Sequence, residues 1–288
     1  MKKKTIIGFI LLGILVFTLW AMDTLFFPLI LALFSCVAVY EIEKAVDLKN
    51  MPAMVLSLAV AGSMPIIIHY KEYLNKYFAY IPHALLFYFV VMMILMLAFY
   101  ENTKFQQIAA GIFSSLFFPA CFAIFVILRD MGGDIAAKSA KSGAVFLILW
   151  PSFAAWGADA FAQITGMILG KHKLSPNISP NKTVEGAIGG VVIATLMSIA
   201  MLAVFNKFFF TGEVVSYTVA AIATPVLSVV GILGDLAASA IKRNYELKDF
   251  GKLIPGHGGM MDRFDSVIFT APVICLVLYI MDLFVWYS

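Results

Sequence analysis

Two aspartates in the stretch Ile254–Ser266, IPGHGGMMDRFDS, are well placed to do chemistry. Asp262 and Asp265 are three residues apart, so a helix would carry both carboxylates on one face. Two carboxylates at this spacing repel each other unless a cation lies between or beside them. Carboxylate oxygens bind Mg²⁺ together with substrate phosphates, and Arg263 adds a guanidinium that suits phosphate. The stretch therefore predicts a metal and phosphate site.

The residues just before Asp262 are unsuited to regular structure, because Pro255 and three glycines interrupt them. Glycine lets backbone N–H groups approach an anion closely. Gly258 and Gly259, with His257 beside them, are therefore candidates for a phosphate-binding loop.

A further carboxylate, Asp235, stands inside the apolar sequence LSVVGILGDLAASAIKR. An acid at that depth in a membrane costs several kcal/mol unless it is paired or bound to metal, so it is a functional candidate. Asp235, Ser239 and Lys242 follow at i, i+4 and i+7 and share one helical face. The alternative interpretation is an ion pair that only fixes helix packing.

Asp159 repeats this pattern, with Gln163, Gly166 and Gly170 on the same predicted helical face. Small residues there favour close helix packing, but packing does not explain the aspartate.

The segment SPNKTVEG, Ser179–Gly186, supplies hydroxyls, a lysine and an acid at a predicted helix start, where backbone N–H groups favour phosphate. Its candidates for substrate binding are Ser179, Lys182, Thr183 and Glu185. The alternative is a helix cap made by Thr183 or Ser179, with Glu185 favourable near the N-terminus.

The elements that must position these residues are membrane helices. Hydrophobic residues make up 62% of the 288-residue chain and charged residues only 13%, against about 25% charged residues in soluble proteins. The net charge of +3 is too small to indicate a nucleic-acid partner. We expect an all-α, polytopic membrane protein forming one domain over residues 1–288, with the motifs confined to 143–288 and none in 1–142.

Nine apolar segments are long enough to span a bilayer, which needs about 20 apolar residues. They are 5–22, 24–41, 53–70, 78–99, 107–128, 143–170, 183–206, 216–241 and 264–286. We expect the first to be a retained helix and not a cleaved signal, because no small-residue cleavage site follows it.

Charge orients these spans, since cytoplasmic loops carry an excess of Lys and Arg. With a cytoplasmic N-terminus, six of the 20 basic residues lie outside (Lys71, Lys76, Arg129, Lys138, Lys141 and Lys207) and the other fourteen lie inside. The bias predicts a cytoplasmic N-terminus and places the polar loops 170–186 and 241–265 in the cytoplasm.

The sequence from Ser239 to Asp265, SAIKRNYELKDFGKLIPGHGGMMDRFD, resembles the signature of the phosphatidate cytidylyltransferase family, also called CDP-diacylglycerol synthase. The upstream Gly234-Asp235-Leu236, the segment SPNKTVEG and the Asp159 helix are similar to that family in the same order. These motifs cover roughly the C-terminal half of the chain.

The resemblance implies that CTP and phosphatidic acid react to give CDP-diacylglycerol and pyrophosphate, for phospholipid biosynthesis. It implies Mg²⁺ bound by Asp235, Asp262 and Asp265, and leaves a second cation open. The implied catalytic residues are Asp235, Asp262, Lys242, Arg243 and His257. The implied substrate-binding residues are Asp159, Ser179, Lys182, Thr183, Glu185, Ser239, Lys248, Asp249, Gly258, Gly259 and Arg263.

We expect a multi-pass protein of a bacterial inner (cell) membrane. The distribution of basic residues places its active site on the cytoplasmic side, and a homodimer is left open. Two other classes of function stay open. A CTP-dependent lipid kinase or another polyprenyl-phosphate transferase could share a metal and phosphate site. An ion-coupled transporter would instead use Asp159 and Asp235 as buried ion sites.

Overall fold

The computed structural model describes residues 2–133, 140–210, 216–254 and 258–280, and helices dominate this part of the chain. The elements in chain order are α1 Lys2–Trp20, α2 Phe26–Ala45, α3 Met51–His69, α4 Lys71–Leu74, a 3-10 helix Asn75–Tyr80, α5 Ile81–Ala98, a 3-10 helix Tyr100–Asn102, α6 Phe105–Gly133, α7 Ala140–Leu169, β1 Lys173–Ser175, β2 Ser179–Thr183, α8 Val184–Phe208, α9 Tyr217–Asn244, α10 Met261–Phe264 and α11 Val267–Ile280. The predicted all-α membrane architecture is confirmed, with one short β-hairpin added to it.

Seven helical segments of the described chain are long and apolar enough to cross a membrane: Phe26–Ala45, Met51–His69, Lys71–Ala98, Phe105–Gly133, Lys141–Leu169, Val184–Phe208 and Tyr217–Asn244. The chain is therefore a multi-pass membrane protein. The predicted first span falls in α1. The predicted last span, 264–286, contains α11, an apolar helix of 14 residues, and residues 281–286 of that span lie outside the described residues. The count of nine spans and the cytoplasmic N-terminus stay predictions.

The chain forms two compact units. The first contains Met1–Val126 and Tyr245–Arg263. Its apolar core includes Ala53, Met92 and Ile108, all with no exposed surface. Asn50 caps α3 by accepting a hydrogen bond from the Ala53 N–H at 3.2 Å, which satisfies a donor that has no partner within the helix. The loop Tyr245–Arg263, which carries much of the predicted signature, belongs to this unit.

The second unit contains Ile127–Asn244 and Phe264–Ser288. Here α8 packs very closely against α7, because glycine faces the neighbouring backbone at two successive turns. A Cβ atom at Gly186 would lie 2.6 Å from the Ala162 carbonyl oxygen, and one at Gly190 would meet the Ala158 carbonyl oxygen. The predicted small face of α7 is confirmed, since a Cβ at Gly166 would lie 2.8 Å from Thr183 Oγ1. Small residues permit this approach.

Replacing Gly190 with leucine is expected to separate α7 from α8. Its side chain has no space beside the Ala158 backbone, and overpacking of this kind costs about 1–3 kcal/mol. Thermal unfolding of the detergent-solubilised protein measures the loss. Gly13→Leu is the matched control, because a Cβ at Gly13 meets nothing within 4 Å. Equal unfolding midpoints for the two variants would contradict the close packing.

Candidate functional site

Lys182 joins two of the predicted aspartates in the second unit. Its Nζ lies 3.2 Å from Asp159 Oδ1 and also forms an ion pair with Asp235 Oδ2. The three side chains come from β2, α7 and α9. Each is only partly exposed, with 20%, 27% and 23% of the side-chain surface accessible for Lys182, Asp159 and Asp235. The structure thus brings together three residues that the sequence placed on separate elements.

The hairpin explains how Lys182 reaches this position. β1 and β2 pair in antiparallel register, with Lys173 opposite Thr183 and Ser175 opposite Ser179. The segment Ser179–Gly186 was predicted to open a helix. α8 does begin within it, at Val184, but the preceding residues Ser179–Thr183 form the strand β2, which was not predicted.

Thr183 marks the change from strand to helix. Its Oγ1 accepts a hydrogen bond from the Gly186 N–H at 3.1 Å, so the capping interpretation of Thr183 is confirmed. Glu185, in the first turn of α8, binds the residues just before β1: its Oε2 accepts the N–H groups of Lys171 and His172 at 3.0 and 3.1 Å. Substrate binding by Ser179, Thr183 and Glu185 stays a prediction.

The charge on Lys182 is stabilised by its neighbours. Burial alone would lower the pKa of Lys182, but the carboxylates of Asp159 and Asp235 raise it above its usual value. The side chain is therefore a cation over the physiological pH range. An ammonium group held in this way can meet phosphate oxygens as a fixed point charge.

Asp235 also contacts other predicted residues in its own unit. Ser239 Oγ donates to Asp235 Oδ1 at 3.4 Å, as the shared helical face predicted. Asp265 is 7% exposed and shares a hydrogen bond with Asp235. Burial, followed by the charge of Asp235, raises the pKa of Asp265 to about 8, although the nearby Lys242 opposes this shift.

Asp262, in the first unit, holds the glycine-rich loop together. Its Oδ2 accepts the N–H groups of Phe250 and Gly259, each at 2.9 Å. Gly258 has φ +82°, a conformation that glycine adopts without strain. A Cβ at Gly258 would also lie 2.9 Å from Asp262 Oδ2. The predicted cation shared by Asp262 and Asp235 stays a prediction.

The remaining candidates are placed as follows. Arg243, Lys248, Asp249 and Arg263 are exposed, whereas Lys242 is buried. Arg243 Nε donates to the Ile178 carbonyl oxygen at 3.3 Å, and this bond ties the end of α9 to the hairpin turn. His257 lies outside the described residues, so its catalytic role stays a prediction.

One residue of the loop region was missed by the sequence analysis. Glu41 of α2 is 5% exposed, and its carboxylate accepts the N–H groups of Met260 and Met261 at 3.1 and 2.9 Å. A carboxylate within an apolar span was the signal that could have identified it, by the same argument that identified Asp235.

The donor set near Asp235 fits a hard divalent cation. The carboxyl groups of Asp235 and Asp265 share a hydrogen bond, and oxygen ligands of this kind suit Mg²⁺. Within the described residues, no group of three or more His, Cys, Asp or Glu side chains is arranged to hold a metal ion. Further ligands would therefore come from substrate phosphates and water, as is usual for Mg²⁺.

Comparison with known proteins adds independent information. The model of the cytidylyltransferase family matches residues 2–281. A phosphatidate cytidylyltransferase of Staphylococcus haemolyticus is 38% identical over 162 residues, which are 56% of this chain and 60% of that protein. A phosphatidate cytidylyltransferase of Bacillus subtilis is 36% identical over 179 residues, 62% of this chain and 61% of that protein. The chain thus spans about three fifths of the length of the curated relatives it matches.

Proposed function

We propose, because this chain belongs to the cytidylyltransferase family, that it is a nucleotidyltransferase that makes CDP-diacylglycerol and pyrophosphate from CTP and phosphatidic acid. The family match over residues 2–281 is the observation that carries this proposal. Relatives named phosphatidate cytidylyltransferase support the choice of substrates. In the second unit, Lys182 and the carboxylates of Asp159 and Asp235 supply charged groups suited to a reaction of phosphates.

The reaction is an in-line displacement at phosphorus. An oxygen of the lipid phosphate attacks the α-phosphorus of CTP, and a new P–O bond forms. The bond from the α-phosphorus to the oxygen that bridges it to the β-phosphorus breaks, and pyrophosphate leaves with that electron pair. Catalysis of such a step consists mainly of positioning and of stabilising the negative charge on the phosphates.

Lys182 is the cation best placed for this task in the second unit. Its ion pairs with Asp159 and Asp235 hold the ammonium group in place, so the group does not have to move when the reaction takes place. A preorganised charge of this kind stabilises developing charge more than a mobile one does. Lys242, Arg243, Lys248 and Arg263 add positive charge for the phosphates of nucleotide and lipid.

The proposal includes Mg²⁺, which neutralises phosphate charge when bound. Asp235 and Asp265 would hold it, with Asp262 as a further predicted ligand. Ser239 would orient the Asp235 carboxylate through the hydrogen bond between them.

We also propose that the reaction takes place at the cytoplasmic side of a bacterial inner membrane. The excess of basic residues in the loops 170–186 and 241–265 supports this orientation. The relatives come from bacteria.

The position of a radioactive label in CTP tests the reaction type. Purified protein with phosphatidic acid and Mg²⁺ is expected to carry label from the α-phosphate of CTP into lipid, and none from the γ-phosphate. A lipid kinase would give the opposite pattern. Uptake of a solute into vesicles without any lipid product would instead indicate a transporter.

A further inference from the structure

We infer that Glu41 is a positioning residue that fixes the glycine-rich loop of the first unit for the transfer reaction. The inference rests on the proposed function and extends it to a membrane helix remote in sequence from the signature. It concerns the described residues Phe250–Ile254 and 258–262, which are together called the clamped loop.

The first observation is the way the buried carboxylate is satisfied. Glu41 lies four residues before the end of α2 and is 5% exposed. A buried carboxylate is costly unless hydrogen bonds compensate it. Each oxygen of Glu41 accepts one backbone N–H of the clamped loop: Oε1 from Met260 at 3.1 Å and Oε2 from Met261 at 2.9 Å. The Glu41 side chain thus binds two successive peptide N–H groups of the loop.

The second observation is the space left for this carboxylate. A Cβ atom at Gly251 or at Gly259 would collide with the Glu41 carboxylate. The two glycines come from different parts of the clamped loop, and both lie against the same side chain. Their lack of a side chain therefore has a local cause, which for Gly259 adds to the approach to phosphate that the sequence suggested.

The third observation is that Asp262 also holds the clamped loop through hydrogen bonds. Asp262 Oδ2 accepts the N–H groups of Phe250 and Gly259 at 2.9 Å. Asp262 thus closes the loop on itself, and Glu41 attaches it to α2. Asp262, the last residue of the clamped loop, and the adjacent Arg263 are two of the residues proposed to bind metal or phosphate. A displacement of about 1 Å in such groups can slow a reaction about 100-fold.

Two variants weaken this attachment in different ways. Glu41→Gln keeps the size of the side chain, but its NH2 group cannot accept the second backbone N–H. Gly251→Ala keeps the carboxylate and pushes it aside. Glu43→Gln is the matched control, because Glu43 lies on the same helix and is fully buried, yet its carboxylate accepts from Ser57 and not from the loop.

Two measurements on the full-length protein in detergent decide the matter. Hydrogen–deuterium exchange is expected to accelerate in peptides covering 258–264 in Glu41→Gln and Gly251→Ala, with α2 and α3 unchanged. The kcat/KM for CTP is expected to fall about 100-fold in both variants. Glu43→Gln is expected to change neither quantity.

The result that overturns the inference is unchanged exchange in both variants, or faster exchange with undiminished kcat/KM. Acceleration spread over α2 and α3 would also overturn it, because Glu41 would then stabilise the helices and not position the loop. A wild-type protein that makes no CDP-diacylglycerol would refute the proposed function instead. The two failures are therefore distinguishable.

Discussion

Asp235→Asn is expected to reduce CDP-diacylglycerol formation by roughly three orders of magnitude, the scale on which one preorganised charge-stabilising group acts. Asparagine has nearly the same size, so α9 keeps its packing. The change removes the negative charge that pairs with Lys182. It also removes a proposed ligand of Mg²⁺ and the carboxylate that accepts from Ser239. The rate is measured with purified protein, CTP and phosphatidic acid over a range of Mg²⁺ concentrations.

The control for Asp235→Asn is Asp47→Asn. The Asp47 side chain is 73% exposed and pairs with Lys49 at the surface, so the same loss of charge there should leave the rate unchanged. Asp235 could instead serve helix packing alone. In that case the variant would insert poorly, but each folded molecule would turn over normally. Normal turnover of folded Asp235→Asn would contradict its place in the site.

Lys182→Met is the change with the second large expected effect. It removes the ammonium group and leaves Asp159 and Asp235 without the cation that lies between them. Removing one partner of a buried ion pair costs about 3–5 kcal/mol. The cost should be smaller here, since 20% of the Lys182 side chain is exposed. We expect a lower unfolding temperature together with a loss of activity of at least about 100-fold.

A double variant separates the two effects of losing Lys182. Lys182→Met with Asp159→Asn removes one charge of each sign, so the net charge of the cluster is restored. Its unfolding temperature should return toward the wild-type value, whereas its activity should stay low. Recovery of activity in the double variant would show that Lys182 only balances charge. Such a result would remove Lys182 from the set of phosphate-binding groups.

Short-range helical patterns could be predicted from the sequence. The contact between Asp235 and Ser239 follows from their spacing of four residues on one helix. The close approach of α7 to the start of α8 follows from the small face that includes Gly166. The Thr183 cap follows from a hydroxyl before an apolar run.

Contacts between residues remote in sequence could not be predicted in the same way. Met261 and Glu41 are 220 residues apart, and no local pattern relates them. The hairpin was missed because its strands have three and five residues and are mostly polar, so they lack the alternation that marks a strand. As a result, Lys182 was expected at a helix start instead of between two carboxylates.

The most direct test is the identity of the product made by the purified protein. With CTP, phosphatidic acid and Mg²⁺, mass spectrometry is expected to find CDP-diacylglycerol, formed in equal amount with pyrophosphate, and none when Mg²⁺ is removed by a chelator. A folded, monodisperse protein that yields no cytidylylated lipid under these conditions would contradict the account.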